Sequence, residues 1–305
     1  MFKKIETILV FILLILFVSL TIYPVLNIIS ISLRTDNAFD SYSLSFIEYE
    51  ERYTDNNNNG KWDVGEQYTD LNDNDKWDAG SSLSSYIKLF FETDFFIWFR
   101  NSIFISSIVT ITGIVFASTG GYALSRFKFR GRDFGMIALL TTQMFPATML
   151  LLPFFIILSY LGLINSYLGL IIIYSSTALP FCIWQMKGYY DTIPIALEES
   201  ARLDGCNRFQ AFYKIILPLS KPALVITALF SFMASWSEYI IAAIVLQEPT
   251  LYTLPLGLKS FQSSLATEWG LYAAGAVVVS IPVTILFISL SRYLISGLTM
   301  GSVKG

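Results

Sequence analysis

The sequence predicts an all-α integral membrane protein with six transmembrane helices, and three observations carry that expectation. Of 305 residues, 54% are hydrophobic and only 14% charged, with a mean hydropathy of +0.58; soluble domains hold nearer to half apolar residues and a quarter charged. Six stretches, at about 5–33, 97–124, 135–159, 167–187, 222–246 and 269–295, are long and apolar enough to cross a hydrocarbon core, which takes roughly 20 helical residues. The basic residues then divide by side: 13 of the 20 flank the spans on one face. Positive charge favours the cytoplasm, so both termini are expected there.

The first span follows Lys3 and Lys4 but is too long for a signal peptide, and no small-residue cleavage site closely follows it. Residues 34–95 come next, with 14 acidic and 5 basic residues, a net of −9 against +6 for the remainder. The overall charge of −3 therefore belongs to one extracytoplasmic loop inserted between helices 1 and 2. Residues 96–296 hold the other five spans, with a cytoplasmic loop at 188–221, and 297–305 form a cytoplasmic tail. Pro24, Pro146, Pro153, Pro180 and Pro282 interrupt the apolar runs, as kinks do where neighbouring helices re-satisfy the freed carbonyls. Gly113, Ala117 and Gly121, with Gly120, make a small-residue stripe at helical spacing, which permits close helix contact.

Several function classes fall away on composition. Histidine is absent, which removes His-based triads and most zinc sites. No basic, aromatic-interleaved patch marks a nucleic-acid partner; the partner of these surfaces is membrane lipid. Cys182 and Cys206 fall in dissimilar segments, so no disulfide is expected. Glu238 is the one charge well inside a span, and such groups usually face protein or a water-filled cavity. With Trp236 and Gln143 it is a candidate for lining a translocation pathway, the alternative being a structural hydrogen bond. A secondary transporter needs more ionisable groups at the midplane than this.

Within the acidic loop, Asp55, Asn57, Asn59, Lys61, Asp63 and Glu66, with Gly60, fit the twelve-position pattern Asp-x-Asn-x-Asn-Gly-x5-Glu, in which alternate oxygens and a closing carboxylate hold calcium. Lys61 stands where only a backbone carbonyl is needed. Fifteen residues on, Asp70, Asn72, Asn74, Lys76 and Asp78 repeat it, with Asp75 in place of the glycine and Ser81 in place of the closing glutamate. A structural Ca2+ in a compact paired loop is the expectation.

The segment from Tyr189 to Pro222 is too polar for lipid yet patterned as two short helices. Pro194 starts the first, Glu198 and Glu199 suit its positive end, and Gly205 stops it. Asn207 caps the second, whose Phe209, Phe212, Ile215 and Ile216 form an apolar stripe before Pro218 ends it. An exposed helix pair of this kind wants a partner.

These residues resemble a known family. Glu199-Ser200-Ala201, then Asp204-Gly205, then Ile215 and Leu217-Pro218, at their spacing, resemble the cytoplasmic loop of ATP-binding-cassette importer permeases, where alanine is usual in place of Ser200. Gln143-Met144-Phe145-Pro146-Ala147, Lys187-Gly188-Tyr189-Tyr190, Leu217-Pro218-Leu219-Ser220 and the tail Gly297-Leu298-Thr299 resemble the second membrane subunit of maltose/maltodextrin importers. The likeness covers 97–305 and the first span but not the acidic loop. It implies an oligosaccharide importer built with a second permease subunit, two ATP-binding subunits that bind ATP and Mg2+, and an extracytoplasmic sugar-binding protein. It also implies that the loop docks on an ATPase and that Gln247 to Glu268 meets the binding protein. The chain has no Gly-x4-Gly-Lys-Ser/Thr phosphate loop, so ATP hydrolysis is expected in the partner subunits and no transport cofactor in this one.

Overall fold

In the computed structural model the described residues are 2–34, 51–57, 62–70, 77, 80, 82–262 and 267–300. They are helical apart from loops and isolated bridging residues such as the pair Tyr53 and Tyr68. In chain order the helices are α1 (Phe2–Ser32), α2 (Ser84–Phe91), α3 (Phe95–Arg126), α4 (Arg132–Thr142), α5 (Leu151–Tyr160), α6 (Tyr167–Thr192), α7 (Ala196–Leu203), α8 (Arg208–Ala211), α9 (Leu217–Leu219), α10 (Lys221–Trp236), α11 (Ile240–Val245), α12 (Leu254–Lys259) and α13 (Trp269–Met300). Among the described residues, four helices are long and apolar enough to cross a membrane: α1 from Thr7, α3, α6, and α13 to Tyr293. The bent pair formed by Arg208–Leu219 and α10 makes a fifth if counted as one.

Two expected spans are broken rather than continuous. The stretch at 135–159 divides into α4 and α5 around Gln143 to Leu150, with Pro146 preceding a short 3-10 turn. Proline removes a backbone donor and biases the preceding residue away from helix, and here the α-helix stops before that residue. The stretch at 222–246 breaks after Trp236, and α11 resumes at Ile240. Pro24, Pro180 and Pro282, by contrast, are carried within α1, α6 and α13.

The chain forms two compact units, 1–95 with 258–281 and 96–257 with 282–305. In the second, the small-residue stripe of α3 performs as its spacing predicts. A side chain at Gly113 would overlap the Ser231 hydroxyl of α10, and one at Gly121 would meet Met186 and Lys187 of α6, while Ala117 is fully buried. Polar links join α6 to α10 within this packing: Thr227 donates to Gln185 at 2.8 Å, and Cys182 lies 3.4 Å from the Ser231 hydroxyl. Both cysteines are free.

The first unit contains a tandem repeat of fifteen residues whose register begins earlier than the calcium-like pattern: Glu51, Tyr53, Thr54 and Asp55 recur as Glu66, Tyr68, Thr69 and Asp70, and Trp62 as Trp77. Its copies pair with two-fold character. Tyr53 bridges Tyr68; Trp62 stacks on Trp77 with centroids 5.3 Å apart. The Trp62 indole N–H donates to the Glu66 carbonyl at 3.2 Å and that of Trp77 to the Glu51 carbonyl at 3.0 Å.

Candidate functional site

The loop between α6 and α10 folds as two helices for the local reasons the sequence carries. Glu198 and Glu199 occupy the first turn of α7 and Arg202 its last, both favourable to the helix dipole. Gly205 has φ +89°; the Cys206 N–H donates to Ala201 O and the Gly205 N–H to Arg202 O, the paired bonds of a glycine-closed helix end. Asn207 then starts α8 in a reciprocal cap: its side chain accepts from the Gln210 N–H at 2.8 Å, and the Gln210 side chain accepts from the Asn207 N–H at 2.9 Å.

Pro218 does not end this second helix. The backbone widens to a π-turn over Phe212–Ile216, continues through Pro218 to Leu219, and bends by 78° into α10. The Leu217 N–H reaches back five residues to Phe212 O, which opens the turn ahead of a proline that would otherwise crowd the carbonyl four residues before it.

The apolar stripe is likewise shared out differently from its sequence reading. Phe212 and Ile216 are buried with Ala117, Cys182, Met186 and Tyr190, and Ile215 packs against them. Phe209 is 75% exposed and Leu203 89% exposed. Glu199, Ser200, Asp204, Gly205 and Pro218 are also exposed, Ala201 is buried, and Leu217 is intermediate. The loop thus has one face closed against its own spans and another, carrying the residues picked out by the sequence, turned outward.

What fastens the closed face is a polar cluster that the sequence reading missed. Arg126, at the end of α3, forms an ion pair with Glu198, their side chains only 8% and 12% exposed. The Tyr122 hydroxyl donates to Glu198 Oε2 at 2.7 Å, and Arg126 Nη2 donates to Ile193 O at 2.9 Å. Ser125 donates to Asp191 at 2.6 Å, and Lys187 pairs with that same carboxylate at 2.6 Å. The available signal was position: Glu198 stands three residues before the buried Ala201, on the helix face that must turn inward.

Each of the three pathway candidates is engaged in its own contacts. Glu238 lies in the break between α10 and α11, where it accepts from the Tyr174 hydroxyl at 2.8 Å and from the N–H groups of Ile241 and Ala242 at 2.9 and 3.2 Å. It caps α11, which is the structural alternative. Trp236 is 2% exposed, stacked on Phe232 and edge-on to Phe99, and offers no free face to a sugar. Gln143 is exposed and donates to Thr177 O at 3.0 Å. Beyond α11 the chain is pinned to the start of α3: Trp98 donates to Pro249 O at 3.0 Å, and Asn101 to Thr250 O and Tyr252 O at 2.9 and 3.0 Å.

Of the calcium-like loop, Asp55, Asn57, Asp63, Glu66 and Asp70 are described; Asn59, Lys61, Asn72, Asn74, Lys76 and Asp78 lie outside the described residues. Glu66 is 8% exposed and folds back over the loop, accepting from the Asn56 N–H at 2.8 Å and the Asp63 N–H at 3.0 Å. Asn57 donates to Asp63 Oδ2 at 2.6 Å. Among the described residues no group of three or more His, Cys, Asp or Glu side chains is placed to hold a metal.

Comparison with known proteins agrees with the helical architecture. The family model described as "Binding-protein-dependent transport system inner membrane component" matches residues 109–299. The maltodextrin transport system permease protein MdxG of Bacillus subtilis is 35% identical over 225 residues, 73% of this chain and 81% of that protein. The galactooligosaccharides transport system permease protein GanQ of the same organism is also 35% identical, over 68% of this chain and 74% of its own length. A solved bacterial ABC transporter involved in import of the acidic polysaccharide alginate contains a chain that is 25% identical, with a TM-score of 0.74 over 96% of this chain and 97% of that one. Matched in this way across its spans and its loop, the chain belongs to the inner-membrane components of binding-protein-dependent transport systems, as a multi-pass permease subunit of the cytoplasmic membrane.

Proposed function

We propose that the chain is one of two permease subunits of an ATP-driven oligosaccharide importer, with maltodextrins as the first substrate class to test. The observation that carries this reading is the two-faced loop: α7 to α9 are fastened inward by Arg126–Glu198 and expose Leu203 and Phe209 outward, as a segment docked on a moving partner requires. Two ATPase subunits, holding ATP and Mg2+, would close on that face, and a sugar-binding protein would deliver substrate opposite. Both named relatives serve oligosaccharide transport systems, which supports the class and leaves the individual sugar to experiment.

Six crossings with cytoplasmic termini are part of the same proposal. The 11 residues of α4 and 10 of α5 span about 16 and 15 Å at 1.5 Å per residue. Together they match a hydrocarbon core of about 30 Å. The 16 residues of α10 and 6 of α11 give about 33 Å on the same count. The test is ATPase activity of the purified complex against a panel of loaded binding protein and sugars. Stimulation by maltodextrins, and not by unrelated monosaccharides, is expected; no stimulation by any oligosaccharide would contradict the reading.

For the acidic loop we propose a structural Ca2+, supported by the twelve-position pattern and by the Glu66 carboxylate, which accepts from the Asn56 and Asp63 N–H groups. The fifteen-residue repeat makes Glu51, 1% exposed, the counterpart of Glu66 and so the closing carboxylate for the second copy in place of Ser81. Side-chain amides lower the site charge, which fits an affinity of roughly 10⁻⁴ to 10⁻³ M. Calcium should raise the thermal stability of the intact complex over that range, and Glu66→Gln should abolish the increase. An unchanged melting profile in wild type would contradict the proposal.

A further inference from the structure

We infer that the Arg126–Glu198–Tyr122 cluster is the linkage through which the loop moves α3, making these three residues positioning residues for transport; the inference rests on the importer reading above. Chain connections attach the loop only to α6 and α10, and both are bent joints. Backbone leaves α6 in an extended conformation at Ile193, and α9 meets α10 across a 78° bend. No peptide bond joins the loop to α3, since Arg126 and Glu198 are 72 residues apart. Side chains must therefore carry any displacement of α7 to that span.

The cluster is built to do so. Its ion pair is almost fully desolvated, where loss of one partner leaves a buried charge uncompensated and separation is resisted. Glu198 is held by two donors from successive turns of α3, Arg126 and Tyr122. The guanidinium also binds Ile193 O, which fixes the joint at the end of α6 in the same contact. Around it, the Tyr122 ring packs 4.5 Å from Phe212 of the π-turn and 5.9 Å from Tyr190, so both halves of the loop bear on one span.

The experiment compares sugar transported per ATP hydrolysed in reconstituted complexes carrying Glu198→Gln, Tyr122→Phe or Arg126→Lys. Glu198→Gln is expected to assemble with the ATPases and keep hydrolysing ATP, while transport per ATP falls about tenfold; Tyr122→Phe should fall less, and Arg126→Lys should retain part of the coupling. A role confined to folding would lower assembly, hydrolysis and uptake together and leave the ratio unchanged, which would overturn the inference. A second readout does not depend on the sugar. Spin labels at the exposed positions Phe116 of α3 and Leu197 of α7 should keep one separation with and without nucleotide in wild type and take several in Glu198→Gln. Equal behaviour of the two proteins would also overturn it. Failure of the importer reading itself shows separately, as a wild-type complex that loaded binding protein does not stimulate.

Discussion

The Tyr174 hydroxyl donates to Glu238 Oε2 at 2.8 Å, so the single acid of the α10–α11 region is held by α6 while it caps α11. Hydrogen bonds to charged groups contribute roughly 1.5–3 kcal/mol each. Glu238→Gln and Tyr174→Phe should each lower stability by an amount in that range, and the double variant should lose less than the sum. Sugar KM should stay within about twofold, since the cap and not the pathway is disturbed. A tenfold change in KM without loss of stability would place Glu238 in the pathway instead. Thermal unfolding and uptake kinetics read both.

At Gly205 the backbone φ of +89° is left-handed, and a Cβ there would meet nothing within 4 Å beyond its own chain neighbours. Strain alone therefore decides the substitution. Gly205→Ala should cost about 1 kcal/mol with the loop still docked. Gly205→Pro removes the N–H bonded to Arg202 O as well, and should cost more and uncouple ATP hydrolysis from uptake. The ratio of transported sugar to ATP separates the two variants.

Close packing of α3 on α6 makes a third position informative. A Cβ at Gly121 would sit 2.9 Å from the Lys187 nitrogen and from Met186 Cβ, one contact being with backbone that cannot give way. Gly121→Val should destabilise by about 1–3 kcal/mol, whereas Gly135→Val, with open space around its Cβ position, should not. Melting temperatures of the two variants check the difference.

Much of this was legible in the sequence, for identifiable reasons. Long apolar runs such as 7–32 and 167–192 are recognisable because only a helix satisfies its backbone in lipid, and the glycine stop and asparagine cap of the loop are strictly local signals. At 143–150 Pro146 signalled an interruption, though not its extent; the break at 237–239 was not legible, because hydropathy reports length and polarity but not where a carboxylate such as Glu238 will take over the N–H groups of a new helix. Glu198 was passed over for its exposed neighbour Glu199, since its partner Arg126 is 72 residues away and no local rule joins them. The repeat in the acidic loop was visible, yet its register from Glu51 rests on the Tyr53–Tyr68 bridge and the Trp62–Trp77 stack, pairings that no local sequence rule supplies.

Topology is tested at two exposed positions, Val64 in the acidic loop, 94% exposed, and Phe129 between α3 and α4, 51% exposed. In a background lacking Cys182 and Cys206, Val64→Cys should react with an impermeant maleimide from outside the cell and Phe129→Cys only after permeabilisation. Reaction of both from one face would contradict the six-crossing arrangement.

The central claim, that this permease subunit imports an oligosaccharide on energy delivered through its outward loop, is tested most directly by uptake into proteoliposomes containing the full complex. Radiolabelled maltodextrin should accumulate only when loaded binding protein is outside and ATP is inside, and accumulation should cease with Gly205→Pro. Accumulation driven by an ion gradient without ATP, or unchanged by that substitution, would contradict it.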